Sequence, residues 1–214
     1  MKTRTALMLA VGFGVVGFGY GARGAATVVK STFKGDQAFA GFSGSAPCDA
    51  SGTKLVSVNG FLNGSSQIQT GPFGFVGNGV EPSFSYSNDC TGVFAFLDGT
   101  IPGALTPPDK KLTSAGMFGT GTVQDLFGTG ATFPISIDVV VEGTGPLTKG
   151  KSSSHSKSGG GANGPVTITI NHNANANRSA DASGTLTIDG VEVDLQFSFA
   201  SLSSNDSATQ TITH

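Results

Sequence analysis

The most specific chemical motif in the sequence matches the phosphate-binding loop of nucleotide-binding proteins. Residues 145–152 read Gly-Pro-Leu-Thr-Lys-Gly-Lys-Ser and follow an apolar segment. Phosphate binding by this motif requires a helix directly afterwards, because the backbone amides at the helix N-terminus hold the phosphates. The next residues, 153–160, are mostly Ser and Gly and form helices poorly. We therefore interpret the match as a turn after a strand, and expect neither a nucleotide nor another cofactor.

Other residues with catalytic or metal-binding side chains are scattered. His155, His172 and His214 show neither the His-x-x-x-His spacing nor the nearby cysteine of local zinc sites. A Gly-x-Ser-x-Gly nucleophile elbow and a Cys-x-x-Cys pair are also missing from the sequence. We expect no metal site and no enzyme activity. A hydrolase whose carboxylates come together only in space, from any of the 14 acidic residues, remains an alternative.

The two cysteines of the sequence, Cys48 and Cys90, each lie in a turn-like segment. An isolated pair in an oxidising compartment most simply forms one disulfide. Closing a loop of this length stabilises the folded chain by up to about 4 kcal/mol in the entropic treatment. Two free thiols, or one catalytic cysteine with a distant histidine, are the alternatives.

Residues 1–26 have the pattern of a secretory signal peptide. Lys2 and Arg4 precede an uncharged, mostly apolar run. Small residues follow at Ala22, Gly24, Ala25 and Ala26, and we expect cleavage at a bond between 22 and 26. The run is shorter than the roughly 20 residues that span a membrane. We expect a secreted protein, extracellular or periplasmic, with no membrane span after cleavage. The leader holds three of the 12 Lys and Arg residues, so nine basic side chains remain against 14 acidic ones, and this net charge of −5 argues against a nucleic-acid partner.

Hydrophobic alternation with a two-residue period is the dominant structural signal. It is clearest in residues 135–142, 166–170 and 191–199. Asp189-Gly190 suits the type I′ turn of a two-residue hairpin, and the pairing it implies puts Ile188 and Val191 on one face. With 33 glycines and no sustained helical period after the leader, the sequence predicts one all-β domain over 27–214. We expect a two-layer antiparallel β-sandwich of about 8–10 strands.

Several finer expectations follow from the same pattern. Weaker strands are predicted at 27–34, 37–43, 53–62, 83–87, 92–98, 112–127 and 207–213, with turn signals such as Asn63-Gly64 and Asn78-Gly79 between strands. Strand 92–98 is expected to be central and covered on both faces. Most of the 14 phenylalanines after the leader are assigned to the core, and residues 149–164 are expected to form a flexible Ser/Gly/Lys loop.

Several short segments resemble a group of exported bacterial proteins of unknown activity. The resemblance is carried by residues 133–138 (Phe-Pro-Ile-Ser-Ile-Asp), 143–150 (Gly-Thr-Gly-Pro-Leu-Thr-Lys-Gly) and Ser154-His155. Residues 33–36 with Ala38, and 182–184, fit the same pattern. The resemblance implies export and an all-β fold, and it assigns the residues of the phosphate-loop match to a shared turn. It implies no activity.

The function that we expect from these features is an exported binding or surface-associated module. Its ligand is unknown, and an extracellular surface or a glycan is the partner considered. A structural protein of an extracellular matrix or coat is the alternative suggested by the Gly, Ser, Thr and Asn content. Thr-x-Thr spacing at 167/169, 185/187 and 209/211/213 suggests a polar array that orders water or pairs with another polar surface, although Thr is also an ordinary solvent-facing strand residue.

Overall fold

The computed structural model describes residues 26–128, 130–160 and 165–213, and these residues form strands joined by turns. The signal peptide predicted for 1–26 lies outside the described residues except for its last position. The bounds of the strands are β1 Thr27–Pro47, β2 Leu55–Thr70, β3 Phe75–Asn88, β4 Val93–Gly99, β5 Ile101–Pro102, β6 Leu105–Thr106, β7 Ser114–Asp125, β8 Thr132–Gly143, β9 Thr148–Gly159, β10 Val166–Ile188 and β11 Val191–Thr213.

All pairings between these strands are antiparallel, as predicted. The hydrogen-bonded path runs β11-β1-β2-β3-β4-β7-β8-β10, and β10 also pairs with β11, so the sheet closes on itself around eight strands. The short strands β5 and β6 pair with β3 and β7, outside this path. Opposite halves of the closed sheet enclose one hydrophobic core. The two layers of the predicted sandwich are therefore joined through backbone hydrogen bonds.

The alternating sequence pattern explains which side chains fill the core. In β8, Ile135, Ile137, Val139 and Val141 are buried, whereas the residues between them are exposed or half-buried. The hairpin between β10 and β11 has the predicted register, with Ile188 opposite Val191. Burying one face of each strand supplies the main stabilisation of such a sheet.

Beyond the core the sheet continues as an extension, which we define as residues 27–37 of β1, 203–213 of β11, 166–177 of β10, and β9. The end of β2, residues 65–70, pairs with the β1 part of this extension. The register places every second residue on the same face across all four strands. The inner face continues the core side of the sheet, because Ala38 and Leu202 of the next register row are buried. The outer face points the opposite way.

Charge is distributed unequally between the two faces of the extension. The outer face carries no charged residue at six positions on each strand. These positions are Thr27, Val29, Ser31, Phe33, Gly35 and Gln37; Ser203, Asn205, Ser207, Thr209, Thr211 and Thr213; Thr167, Thr169, Asn171, Asn173, Asn175 and Asn177; Thr148, Gly150, Ser152, Ser154, Ser156 and Ser158. All five lysines of the extension lie on the inner face (Lys30, Lys34, Lys149, Lys151 and Lys157).

Four sequence-based expectations need correction. The expected turns at Asn63-Gly64 and Asn78-Gly79 lie inside strands β2 and β3. Residues 148–159 form strand β9 rather than part of a flexible loop at 149–164, because β10 provides a partner along their whole length; residues 161–164 lie outside the described residues. Strand β4 is covered on one face only, since Phe94 and Phe96 are exposed. Of the 14 phenylalanines assigned mainly to the core, Phe42 and Phe84 are fully buried and eight are exposed on the surface.

The predicted disulfide between Cys48 and Cys90 is present, with 6.1 Å between the two Cα atoms. It joins the turn after β1 to the turn after β3, and a bridge of this kind is typical of proteins that fold in an oxidising compartment. Within the described part of the chain, no helical segment combines the length and the hydropathy of a membrane-spanning helix.

Candidate functional site

The phosphate-loop match does not adopt the conformation that nucleotide binding needs. Gly145 and Pro146 lie in the connection after β8, and strand β9 begins at Thr148. Lys151 and Ser152 are therefore side chains of an extended strand, on opposite faces, and no helix N-terminus follows them within the described residues. The structure thus places a turn and a strand at this motif.

The histidines lie on the extension. His155 of β9 and His172 of β10 are on its inner face, where His172 is opposite Ser153. His214 lies outside the described residues. No group of three or more His, Cys, Asp or Glu side chains in the described ranges is arranged to hold a metal ion.

A shallow hollow on the outer surface of β1, β2, β3 and β4 brings together the most distinctive set of polar side chains. Its volume is about 610 Å³. We call it the serine hollow because serines line it from three neighbouring strands. Its outward-facing polar side chains are Ser43, Ser45, Ser57, Asn59, Ser85 and Ser87, with Asp194 and Gln196 of β11 at one side.

Strand register brings these side chains into two rows. In one row Ser43 is opposite Asn59, and Asn59 is opposite Ser85. In the other, Ser57 lies between Ser45 and Ser87. Neighbouring strands lie about 4.8 Å apart, and residues two apart on one strand about 7 Å. The floor is therefore a regular array of hydroxyl and amide groups.

The first aromatic wall of the hollow stands on the β4 side. Phe94 lines the hollow and lies opposite Ser87, and Phe96 stands beside it, opposite Ser85, at the edge of the hollow. Their ring centroids are 5.3 Å apart, and the Phe127 ring is 5.7 Å from that of Phe96. The exposed fractions of Phe94, Phe96 and Phe127 are 65%, 45% and 81%. Exposed apolar clusters of this kind commonly mark interaction sites.

A second aromatic group borders the hollow along the strands. Phe61 follows Asn59 by two positions on β2 and therefore lies on the same outer face. The ring of Phe39 lies between those of Phe61 and Phe199, at centroid distances of 5.6 and 5.5 Å. With interplanar angles of 32° and 29°, the Phe39 ring is tilted against both neighbours, and the three rings form one strip on the outer surface.

The electrostatic character of the hollow is close to neutral. Among its described lining residues, Asp194 alone carries a charge, and it stands at the rim. The hydroxyl of Ser85 donates to the carbonyl oxygen of Asn59 at 3.2 Å, so this serine is held in place by the sheet. Hydroxyls and amides can both donate and accept hydrogen bonds, and the flanking phenyl rings offer flat apolar faces.

Sequence reasoning missed this site, although a signal for it was present. Ser43-x-Ser45 and Ser85-x-Ser87 place pairs of hydroxyls on one face of a strand, and Phe94-x-Phe96 does the same for two rings. None of these pairs is distinctive alone. Only the register of four strands turns them into one surface. Comparison of the chain with protein-family models, with curated proteins and with solved structures gives no match.

Proposed function

We propose that this protein is an exported, non-catalytic binding module whose serine hollow holds a neutral glycan. The observation that carries the proposal is the uncharged hydroxyl and amide floor, bordered by exposed phenyl rings on two sides: Phe94 and Phe96 across the strands, and Phe61 along them. Sugar rings combine hydroxyls around their edge with apolar C–H faces. A polar floor with flat apolar walls complements both features.

The rigidity of the site supports this proposal. Every polar floor residue lies on a hydrogen-bonded strand, and strands β1, β2 and β3 are paired along their whole contact with one another. A preformed site loses little conformational entropy when a ligand binds. A shallow site on a closed sheet therefore suits recognition of an extended chain without rearrangement of the protein.

The small number of carboxyl groups in the serine hollow favours binding over bond cleavage. The common mechanisms of glycoside hydrolysis place two carboxyl groups on opposite sides of the scissile bond. The hollow is lined by one, from Asp194. The proposal therefore assigns Asp194 to the polar rim and predicts no turnover.

Export is part of the proposal and has two supports. The leader-like sequence at 1–26 is one, and the Cys48–Cys90 disulfide is compatible with an oxidising compartment. The intact mass of the protein recovered from culture medium or periplasm tests both. A mass that still includes the leader would contradict export.

Isothermal titration with cellohexaose and chitohexaose tests the hollow as a glycan site. We expect saturable binding of at least one of them to the wild type. The variants Phe94→Ala and Phe96→Ala should each weaken that binding five-fold or more, because a stacking surface is lost. Phe73→Ala is the matched control, since Phe73 is 86% exposed in the turn between β2 and β3 and does not line the hollow.

Three outcomes would overturn the proposal. The first is no binding of either hexasaccharide by the folded wild-type protein. The second is equal weakening by Phe73→Ala and Phe94→Ala. The third is release of shorter sugars during incubation, which would favour the hydrolase alternative. Unfolding curves of each variant separate loss of the site from loss of the fold.

A second candidate function, a structural protein of a matrix or coat, is favoured by the outer face of the extension. That face is uncharged at all the positions given above, and its side chains bond across strands. The Thr209 hydroxyl donates to Oδ1 of Asn171 at 2.9 Å, and Nδ2 of Asn171 donates to the Ser154 hydroxyl at 3.4 Å. A flat polar face without like charges can pair with a second copy of itself.

Sedimentation velocity over a wide concentration range tests this alternative. Self-association should be reversed by Ser207→Lys, which puts a charge in the centre of the face, whereas Ser43→Lys, outside the extension, should leave it unchanged. A wild type that stays monomeric at the highest concentration would exclude assembly through this face.

A further inference from the structure

The inner face of the extension contains a groove distinct from the serine hollow. Its volume is about 760 Å³, and residues of β1, β9, β10 and β11 line it together with Lys110 from the connection between β6 and β7. We call it the cationic groove. The side chains that give it its character are Thr32, Lys34, Lys110, Lys151, Ser153 and His172.

Basic side chains are concentrated around this groove although the protein is acidic. Of the nine Lys and Arg residues that the structure describes, five lie on the inner face of the extension, and Lys110 makes a sixth at the groove. Of the 14 Asp and Glu residues, Asp36 and Asp206 lie on this face, and Asp109 precedes Lys110 in the loop. The groove is therefore positive within a negative molecule.

Most of this positive charge is not neutralised within the protein. Across the described ranges one ion pair falls within 4 Å, the Lys34–Asp36 pair at 2.8 Å. Asp206 lies directly opposite Lys34 in the register, so both acidic side chains of the inner face are grouped around the same lysine. No acidic side chain of the described residues lies within ion-pair distance of the three lysines on β9, Lys149, Lys151 and Lys157. They lie along one face of the strand, where an external partner can bind them.

We propose that the cationic groove binds an acidic polysaccharide, a glycan chain with an anionic group on successive repeats. Lys151 lines the groove, and Lys149 and Lys157 lie on either side of it along the same face of β9, Lys149 about 7 Å from Lys151. A linear array of fixed positive charges matches a linear array of anions, and the counterions released on contact favour binding. Ser153 and Thr32 add hydroxyls that hydrogen-bond to sugar oxygens.

The side chains of the groove favour a glycan over a nucleic acid. Proteins that hold single strands stack the bases on aromatic side chains. Phe33 contributes to the groove edge, but its register position puts the ring on the outer face of the extension, where it lies against Gly35. Apart from the His172 imidazole, the described lining of the groove offers charges and hydroxyls and no aromatic ring on its floor.

Binding of polygalacturonate, measured by thermophoresis at several salt concentrations, tests this proposal on the full mature chain. We expect saturable binding that weakens steeply as salt rises, with no binding of uncharged dextran. The double variant Lys149→Gln/Lys151→Gln should weaken binding ten-fold or more and flatten the salt dependence. Lys54→Gln is the matched control, because Lys54 lies in the turn before β2, away from the groove.

The outcomes separate this site from the serine hollow and from nonspecific attraction. Phe94→Ala should leave polygalacturonate binding unchanged. Equal weakening by Lys54→Gln, binding insensitive to salt, or tighter binding of an oligothymidylate than of polygalacturonate would each overturn the proposal. Circular dichroism of the double variant shows whether it keeps the fold. If the double variant does not fold, the single variant Lys151→Gln is measured instead, and we expect it to bind polygalacturonate three-fold more weakly.

Discussion

The ring of Phe199 on β11 lies directly over Gly41 on β1, in the space that a side chain at position 41 would occupy. The same arrangement recurs elsewhere on the sheet, where the Phe33 ring lies against Gly35 and the Phe118 ring against Gly116. A glycine on a strand exposes backbone, and a neighbouring ring that covers it restores packing. Some glycines and phenylalanines of this chain therefore act as pairs outside the core, in which the ring covers the backbone of the glycine.

Substitution of Gly41 tests this device. A Cβ at Gly41 would collide with the Phe199 ring, so Gly41→Ala should lower the free energy of unfolding by about 1–3 kcal/mol. It should also displace Phe199 from its contact with Phe39. Urea unfolding measures the stability. Gly77→Ala on β3 is the control, because a Cβ there meets no atom within 4 Å; equal losses in the two variants would contradict the explanation.

The ion pair between Lys34, which lines the cationic groove, and Asp36 makes a second prediction. The Asp36 side chain is 6% exposed, and Lys34 Nζ is 2.8 Å from its Oδ2. Lys34→Met would leave this buried carboxylate without its cation, so we expect a loss of about 1–3 kcal/mol at pH 7. Lys30→Met is the matched control, since Lys30 lies four residues earlier on the same face of β1, opposite Gln210.

The Lys34–Asp36 pair also determines how the free energy of unfolding changes at alkaline pH. The hydrogen bond to Asp36 raises the pKa of Lys34 above its ordinary value of 10.5, with smaller support from the charges of Asp36 and Asp206. A raised lysine pKa stabilises the fold below pH 10.5, and this stability is lost as the pH rises through the folded-state pKa. Urea unfolding at pH 9 and 11.5 should show a smaller decline for Lys34→Met than for the wild type. Parallel declines would contradict the coupling.

The acid titration of Asp49, in the turn after β1, provides a third prediction. Hydrogen bonds lower the pKa of Asp49 from 3.8 to about 2, chiefly from the Ser51 hydroxyl and then from the Lys54 amide at 3.0 Å. A lowered carboxyl pKa adds stability above pH 3.8, and this stability is lost as the pH falls towards 2. The carboxyl carbon shift of Asp49 in NMR should therefore titrate near pH 2. Ser51→Ala should raise the midpoint, and an unchanged midpoint would contradict the assignment.

The fold class and one hairpin could be predicted from the sequence because independent local signals agree. Asp189-Gly190 indicates a type I′ turn, and the alternation on both sides requires the same register. The structure has φ of 50° at Asp189 and 80° at Gly190, with Ile188 opposite Val191. Where a turn fixes the register and one strand face is buried, short-range sequence is sufficient.

The full length of strands β2 and β3 could not be predicted, because a glycine in the sequence can mark either a turn or a closely packed position inside a strand. Asn63-Gly64 and Asn78-Gly79 have the composition of turns but lie inside β2 and β3. A Cβ at Gly64 would come within 2.7 Å of the Leu105 side chain, so the glycine accommodates the close packing of β6 and marks no turn. Such a requirement depends on residues about forty positions away.

The candidate sites depend on the same long-range pairing. The serine hollow exists only because β1, β2, β3 and β4 bring Ser43, Asn59, Ser85 and Phe96 into one row. The cationic groove requires β9 to pair with β10, and the Ser- and Lys-rich sequence of β9 has little strand character alone. Tertiary pairing overrides local propensity at both sites.

A buried polar network next to the disulfide makes the last prediction. Nδ2 of Asn88 donates to the Tyr86 hydroxyl at 2.9 Å, and Oδ1 of Asn88 accepts the backbone N–H of Cys90 at 2.9 Å. Asn88 is 4% exposed, so its removal leaves buried groups without partners. Asn88→Ala should lower the free energy of unfolding by about 1–3 kcal/mol.

The Asn88 bond to Cys90 also holds the turn that carries one half of the bridge, so Asn88→Ala should make the Cys48–Cys90 disulfide react faster with dithiothreitol. Asn63→Ala is the control, because Asn63 donates only to Glu81 at the surface. If Asn88→Ala lowers the free energy of unfolding but its disulfide is reduced at the wild-type rate, Asn88 supports the core through Tyr86 alone. Faster reduction together with lower stability is expected if the core and the bridge are stabilised by the same side chain.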